Sequence, residues 1–104
     1  MNKLIRSHIV LAAAVLLAGV FCSAQDGAAT YKAKCAMCHG PTGTPSEGMA
    51  KAMGIKPASD PSMKALTVAQ IEAAVKNGKG KMKPVAGLSD AQVKDVAAYF
   101  KTLK

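Results

Sequence analysis

The chain has 104 residues, which suits one small domain. Its 14 Lys and Arg residues outnumber its 6 Asp and Glu residues, which gives a formal net charge of +8 at pH 7. Only 4% of the residues are aromatic, and the lysines lack interleaved aromatic side chains. The basic charge therefore does not indicate a nucleic-acid-binding protein.

The chain begins with the composition of a secretory signal peptide. Lys3 and Arg6 form a basic start, residues 9–21 are an apolar run, and small residues lead to an expected cleavage after Ala24. The apolar run has 13 residues, fewer than the ~20 that a membrane-spanning helix needs. A cleaved leader is therefore expected rather than a permanent anchor.

We expect residues 1–24 to be the signal peptide and residues 25–104 to form one domain of a protein that is periplasmic or otherwise exported. Lipidation of Cys22 is not expected, because the bulky Phe21 stands where a small residue is needed. The remaining chain keeps 12 basic and 6 acidic residues, a formal charge of +6.

The first predicted helix spans residues 27–38, with Asp26 as its N-cap. It runs into the stretch Cys35-Ala36-Met37-Cys38-His39-Gly40. On a helix, Cys35 and Cys38 at i and i+3 share a face, and His39 points the same way. Once the signal peptide is removed, these three residues are the only thiol and imidazole groups left in the chain.

Three kinds of site use two cysteines with this spacing. Covalent haem attachment needs two thiols that reach two vinyl groups and an imidazole beside the second thiol, and Cys35, Cys38 and His39 meet these demands. A thioredoxin-like dithiol needs βαβ surroundings, which the sequence does not predict. A tetrahedral zinc site needs a fourth ligand, which would have to be a carboxylate. The pattern favours covalent haem.

The small number of aromatic residues available for a core also favours a cofactor. Residues 25–104 contain three aromatic side chains, Tyr31, Tyr99 and Phe100, which is little for the core of so short a domain. A disulfide between cysteines this close in sequence would restrain the unfolded chain only slightly. A bound macrocycle would supply the missing apolar centre.

The rest of the chain predicts short helices and no sheet. Residues 40–66 carry too many Gly and Pro for a long helix, and they allow two short helical turns, at residues 47–53 and 61–65. Irregular segments of this length usually have a function or are disordered. No convincing period-two alternation occurs, so the predicted fold class is all-α.

Two capping boxes open the last two predicted helices. Thr67 to Gln70 begins a helix that ends at Asn77-Gly78, and Ser89 to Gln92 begins the terminal helix. Each helix has an apolar stripe, formed by Val68, Ile71 and Val75 in the first and by Val93, Val96, Ala97, Phe100 and Leu103 in the second.

Over nearly all of residues 26–104 the chain resembles a class I cytochrome c of the small bacterial, monohaem type. The likeness rests on separately placed features: Gly27 and Tyr31, the Cys35 to Gly40 stretch, Gly80-Lys81-Met82 with Pro84, Leu88-Ser89-Asp90, and Val96 with Ala98-Tyr99-Phe100. It implies terminal helices that cross and one covalent haem c wrapped by an irregular loop and a third helix. Lys83 separates Met82 from Pro84, where many relatives have methionine followed directly by proline.

The residue inventory points to Met82 as the second axial ligand, opposite His39. No second histidine remains after signal cleavage, and the methionine candidates are Met37, Met49, Met53, Met63 and Met82. Met37 lies inside the attachment motif, and Met49, Met53 and Met63 are explained as packing residues. Met82 lies in a glycine-rich loop between two helices, which could lay its side chain over the ring. A core or surface methionine is the alternative for Met82.

These observations predict a protein that carries single electrons between redox partners and is not an enzyme. A six-coordinate iron with His39 and Met82 as ligands has no open position, which suits electron transfer. Two alternatives remain: a haem-bearing subunit of a larger oxidoreductase complex, and a small-ligand sensor or peroxidase if Met82 does not bind the iron.

Four lysines surround the predicted methionine loop: Lys76, Lys79, Lys81 and Lys83. In the family this region lies next to the exposed haem edge. The expectation is that this lysine patch steers the protein towards acidic docking surfaces on its redox partners. A generally basic, soluble surface is the alternative.

Overall fold

The computed structural model describes residues 26–104, which form an all-helical domain. Its helices are α1 (residues 26–34), α2 (Ala36–His39), α3 (Glu47–Met53), α4 (Pro61–Lys64), α5 (Val68–Asn77) and α6 (Asp90–Phe100). In this part of the chain the only β-type pairing is an isolated bridge between Lys79 and Met82. The predicted all-α class is confirmed. The predicted signal peptide, residues 1–24, lies outside the described residues.

The helix predicted over residues 27–38 is bent at Cys35, which separates α1 from α2. Cys35 has φ −116° and ψ −35°, and its N–H still donates to the Tyr31 carbonyl at 2.8 Å. The His39 N–H in turn donates to the Cys35 carbonyl at 3.0 Å. Hydrogen bonds therefore continue across the bend, and the attachment motif begins on the last turn of α1.

Both predicted capping boxes are present. The Thr67 side chain accepts from the Gln70 N–H, and the Ser89 side chain accepts from the Gln92 N–H. In return, the side chain of each glutamine accepts from the backbone N–H of the capping residue. The predicted stripe of α5 is only partly buried, because Val68 at its first position is exposed. The buried face of α5 begins one turn after Val68, at Ile71.

The irregular segment between the motif and α5 contains α3 and α4, close to the predicted turns. Ser46 caps α3 by accepting from the Met49 N–H, and Asp60 caps α4 by accepting from the Ser62 N–H. Because such caps satisfy helix N–H groups that have no partner within the helix, they make these very short helices possible.

The N-terminal helix α1 and the C-terminal helix α6 cross in close contact at Gly27. A Cβ atom at Gly27 would lie 2.5 Å from the Asp95 carbonyl oxygen and 3.1 Å from the Tyr99 Cβ. Only glycine lets the two backbones approach this closely. The buried apolar side chains of the domain include a contacting cluster that joins α1, α5 and α6: Tyr31, Val75, Val93 and Val96. Ala58, Ile71 and Ala97 are also buried.

Tyr31 lies at the centre of this core, with 2% of its surface exposed. Its ring centroid is 5.4 Å from that of Tyr99 and 6.4 Å from that of Phe100, and both pairs are tilted. Its hydroxyl donates to the Gly40 carbonyl at 2.6 Å. Burial, reinforced by the nearby Cys35 and Tyr99, raises the pKa of Tyr31 to about 12.

Replacing Gly27 with alanine should destabilise the domain by about 1–3 kcal/mol, because the added methyl group overpacks the α1–α6 crossing. The matched control is Gly48→Ala in α3, where an added Cβ would meet no atom within 4 Å. That substitution should be neutral or should add up to ~1 kcal/mol through helix propensity. Urea unfolding of both variants measures the difference; an unaffected Gly27→Ala variant would contradict the close crossing.

Replacing Tyr31 with phenylalanine should reduce stability by about 1–3 kcal/mol, because the buried Gly40 carbonyl loses its partner. It should also change the response to alkali. A raised pKa in the folded state gives stability that is complete below pH 10 and is lost as pH rises towards about 12. The variant should lose that alkaline decline.

Unfolding free energies at neutral pH and above pH 10 provide the measurement. Tyr99→Phe removes a hydroxyl from the same aromatic cluster and leaves the Tyr31 bond intact, so it serves as the control. Equal losses in the two variants at neutral pH would show that the Gly40 bond has no special importance.

Candidate functional site

The two cysteines of the motif are three residues apart, with Cys35 at the N-cap of α2 and Cys38 inside that helix. Cys35 and Cys38 are both half-buried and are not joined in a disulfide. Met37, between them, is 87% exposed and so faces away from the thiols. The sharing of a face by Cys35 and Cys38 stays a prediction. The exposed Met37 is poorly placed to reach a group bound by the two half-buried thiols.

The surroundings of the motif favour uncharged thiol and imidazole groups. Burial, and secondly the neighbouring Cys38, raise the pKa of the Cys35 thiol. Burial lowers the pKa of His39 and so favours the neutral imidazole, which is the form that binds metals. The His39 ring meets the edge of the Phe100 ring at a centroid distance of 5.7 Å and an interplanar angle of 75°.

The chain turns sharply directly after His39, and the turn depends on Gly40. This residue has φ +84°, and a Cβ there would collide with the Thr44 carbonyl oxygen. The Tyr31 hydroxyl holds the Gly40 carbonyl from the opposite side. The position of His39 is therefore fixed by α1 before it, Phe100 beside it and a folded-back loop after it.

Met82 lies in a tight turn between α5 and α6. The Lys79 and Met82 backbones exchange two hydrogen bonds of 3.0 Å, which leaves Gly80 and Lys81 as the two central residues. Gly80 has φ +59° at the first central position, as in a type II′ turn. The glycine-rich loop that the sequence predicted here contains a defined turn, and Gly80 supplies the positive φ that the turn needs.

The Met82 side chain is half-buried against the cluster of Tyr31, Val75, Val93 and Val96. Cys35 and Ala36 of the motif pack against the same cluster. Among the described methionines, Met82 is the one that does so, whereas Met49 and Met53 lie in α3 and Met63 in α4. The structure thus brings Met82 and the first thiol to one apolar centre.

The loop around Met82 has two further attachments, neither of which the sequence indicated. The Val85 N–H donates to the Val75 carbonyl of α5 at 2.9 Å. The Lys81 ammonium donates to the Ala52 carbonyl of α3 at 3.1 Å. No local sequence pattern predicts these contacts, because the partners are far apart in sequence.

The lysine patch contains engaged and unengaged members. Lys76 pairs with Asp90 at 3.1 Å, and Lys81 is bonded to Ala52. Within residues 26–104, no ion pair or side-chain hydrogen bond involves Lys79 or Lys83, and both are exposed. Two of the four charges are therefore committed to internal contacts.

The donor set agrees with covalent haem better than with the alternatives. Over the described residues, no group of three or more His, Cys, Asp or Glu side chains converges to hold a metal ion. The helical surroundings lack the βαβ unit of a thioredoxin-like dithiol. Two half-buried thiols, an imidazole whose neutral form burial favours and a nearby apolar centre fit a covalent haem. The two thiols would bond to carbon atoms of the haem, and the imidazole would bind its iron.

No helix of the described residues is both long enough and apolar enough to cross a membrane.

Comparisons with known proteins agree with this reading of the site. The family model described as cytochrome c oxidase, cbb3-type, subunit III, matches residues 23–100, three quarters of the chain. The solved structure of the KustC0563 c-type cytochrome is similar, with a TM-score of 0.64 and 23% sequence identity. The likeness covers 72% of this chain and 93% of that chain, and at this identity it shows the shared fold. No curated protein sequence matches.

Members of this family bind haem c covalently and serve haem-based electron transfer, which implies redox partners. The residue spacing, the fold and the family model now agree. The chain therefore belongs to the family described as cytochrome c oxidase, cbb3-type, subunit III, and is a class I monohaem cytochrome c.

Proposed function

We propose that the protein is an exported carrier of single electrons between redox partners, with His39 and Met82 as the axial ligands of its haem and no catalytic reaction of its own. The observation that carries this proposal is the packing of Met82 on the cluster that also receives Cys35 and Ala36. This shared packing supports Met82 as the residue that would fill the second axial position. An iron without an open position suits electron transfer rather than oxygen chemistry.

Each site residue has a distinct role in this proposal. Cys35 and Cys38 attach the haem, and His39 binds the iron as a neutral imidazole that burial favours. Phe100 restricts the rotation of His39 by an edge contact. The bound haem supplies the one-electron chemistry.

The surrounding protein keeps the site rigid and dry. Tyr31 and the turn at Gly40 fix the chain directly after His39. The buried valines of α5 and α6 exclude water from the side of the site on which Met82 packs. Rigid, apolar surroundings reduce the rearrangement that accompanies a change in iron charge and set the reduction potential through burial.

We propose that residues 1–24 are a signal peptide and that residues 25–104 are the mature periplasmic domain. The basic start, the apolar run and the small residues before Gln25 support this division. The family also supports it, since c-type cytochromes are typically exported.

A permanent place in a larger oxidoreductase is the second candidate function. The description of the matching family model, subunit III of a cbb3-type oxidase, favours it. Size-exclusion chromatography of the protein purified gently from its native membrane and soluble fractions separates the two. Elution as a small monomer supports the free carrier, and stable co-purification with a catalytic chain supports the subunit.

Replacing Met82 with alanine should abolish the weak far-red sulfur-to-iron absorption band of the ferric protein and leave the covalent haem in place. The thiols and His39 are untouched, so attachment should not depend on Met82. Met63→Ala, in α4, removes an equally half-buried methionine and should leave the band unchanged.

Absorption spectra of the ferric proteins, with mass spectrometry for haem content, provide the measurement. A high-spin spectrum in the unmodified protein would contradict Met82 ligation. It would instead favour the sensor or peroxidase alternative, in which the iron has an open position.

The unengaged members of the lysine patch should steer the protein towards an acidic partner. Replacing Lys79 and Lys83 together with glutamine should slow association about two- to tenfold at low salt, and less at high salt. The control is the exposed Lys64 of α4 changed to glutamine. Stopped-flow reduction by a redox protein with an acidic docking surface measures this, and a rate independent of ionic strength would remove the steering role.

A further inference from the structure

One lysine of the patch connects the Met82 turn to a different part of the fold. The Lys81 Nζ donates to the Ala52 carbonyl oxygen at 3.1 Å across 29 residues of sequence. Ala52 is the second-last residue of α3. The last four carbonyls of a helix lack partners within the helix and carry the negative end of its dipole, so an ammonium group there is favourable.

The contact acts at the tip of the turn, next to Met82. Lys81 is the second central residue of the turn, and Met82 follows it directly. The base of the loop is attached to α5, through the Gly78 N–H bond to Ala74 and the Val85 N–H bond to Val75. For the described residues, the Lys81 bond is the side-chain hydrogen bond that attaches the tip to another helix.

We propose that Lys81 is a positioning residue for Met82, fastening the methionine turn to the end of α3 so that the sulfur stays at the haem. This inference rests on the proposed ligation by Met82. Lys81 lowers the fraction of protein in which Met82 has left the iron. Lys79 and Lys83 raise the rate of association with a partner. The lysine patch thus divides into a structural member and docking members.

Imidazole added to the ferric holoprotein provides the test, because it binds iron only when Met82 has left. Its apparent affinity is proportional to the fraction of protein in the Met82-off state. Lys81→Met removes the ammonium and keeps the length of the side chain. It should raise the apparent imidazole affinity about two- to fivefold, as expected for loss of an exposed charge-assisted hydrogen bond.

Two variants make the result specific. Lys83→Met removes the same charge from the same loop without touching Ala52, and should leave the imidazole affinity unchanged. Lys81→Arg keeps a cationic donor of similar reach and should restore the affinity of the unmodified protein. The intensity of the far-red band, measured without imidazole, should follow the same order.

The possible results separate this inference from the proposal on which it rests. If the unmodified ferric protein lacks the far-red band, the ligation by Met82 fails, whatever the lysine variants do. If the band is present, equal affinities in Lys81→Met and the unmodified protein overturn the positioning role. Equal increases in Lys81→Met and Lys83→Met also overturn it, because they show that the loss of charge alone causes the effect. Failure of Lys81→Arg to restore the affinity of the unmodified protein overturns it as well.

Discussion

The structure of the site depends most on the contacts of Tyr31. Its ring packs between α1 and α6 against Tyr99 and Phe100, and its hydroxyl holds the carbonyl that directly follows His39. One side chain therefore connects the helix crossing to the attachment motif. Because this hydrogen bond is buried, it both fixes the chain after His39 and contributes to stability, since an unpaired carbonyl there would be costly.

The sequence predicted the features that are local along the chain. The capping boxes and the apolar stripe of α6 depend on residues three or four positions apart, and these agree with the structure. The bend at Cys35 and the exposure of Val68 depend on how helices pack, so they could not be predicted from local pattern. The contact between Lys81 and Ala52 joins segments 29 residues apart, and a single sequence contains no signal for it.

Charge counted from the sequence overstates the charge available to a partner. The four lysines near Met82 suggested one docking surface, yet Lys76 is paired with Asp90 and Lys81 is bonded to Ala52. A side chain held in an internal contact has already lost rotamer freedom and points where the fold requires. Glycine in a sequence does not by itself distinguish a tight turn from a flexible loop, and at Gly80 the positive φ belongs to a tight turn.

The crossing at Gly27 has a consequence for how the domain folds. Gly27 and Asp95 are 68 residues apart, so their contact closes a loop that contains nearly the whole domain. Closing such a loop costs about 4 kcal/mol in chain entropy, and the packing of both terminal helices helps to offset it. Neither helix is stable without the other, since most stability of short helices comes from packing. The domain should therefore fold as one cooperative unit, and a fragment that lacks either terminal helix should not form a stable folded structure.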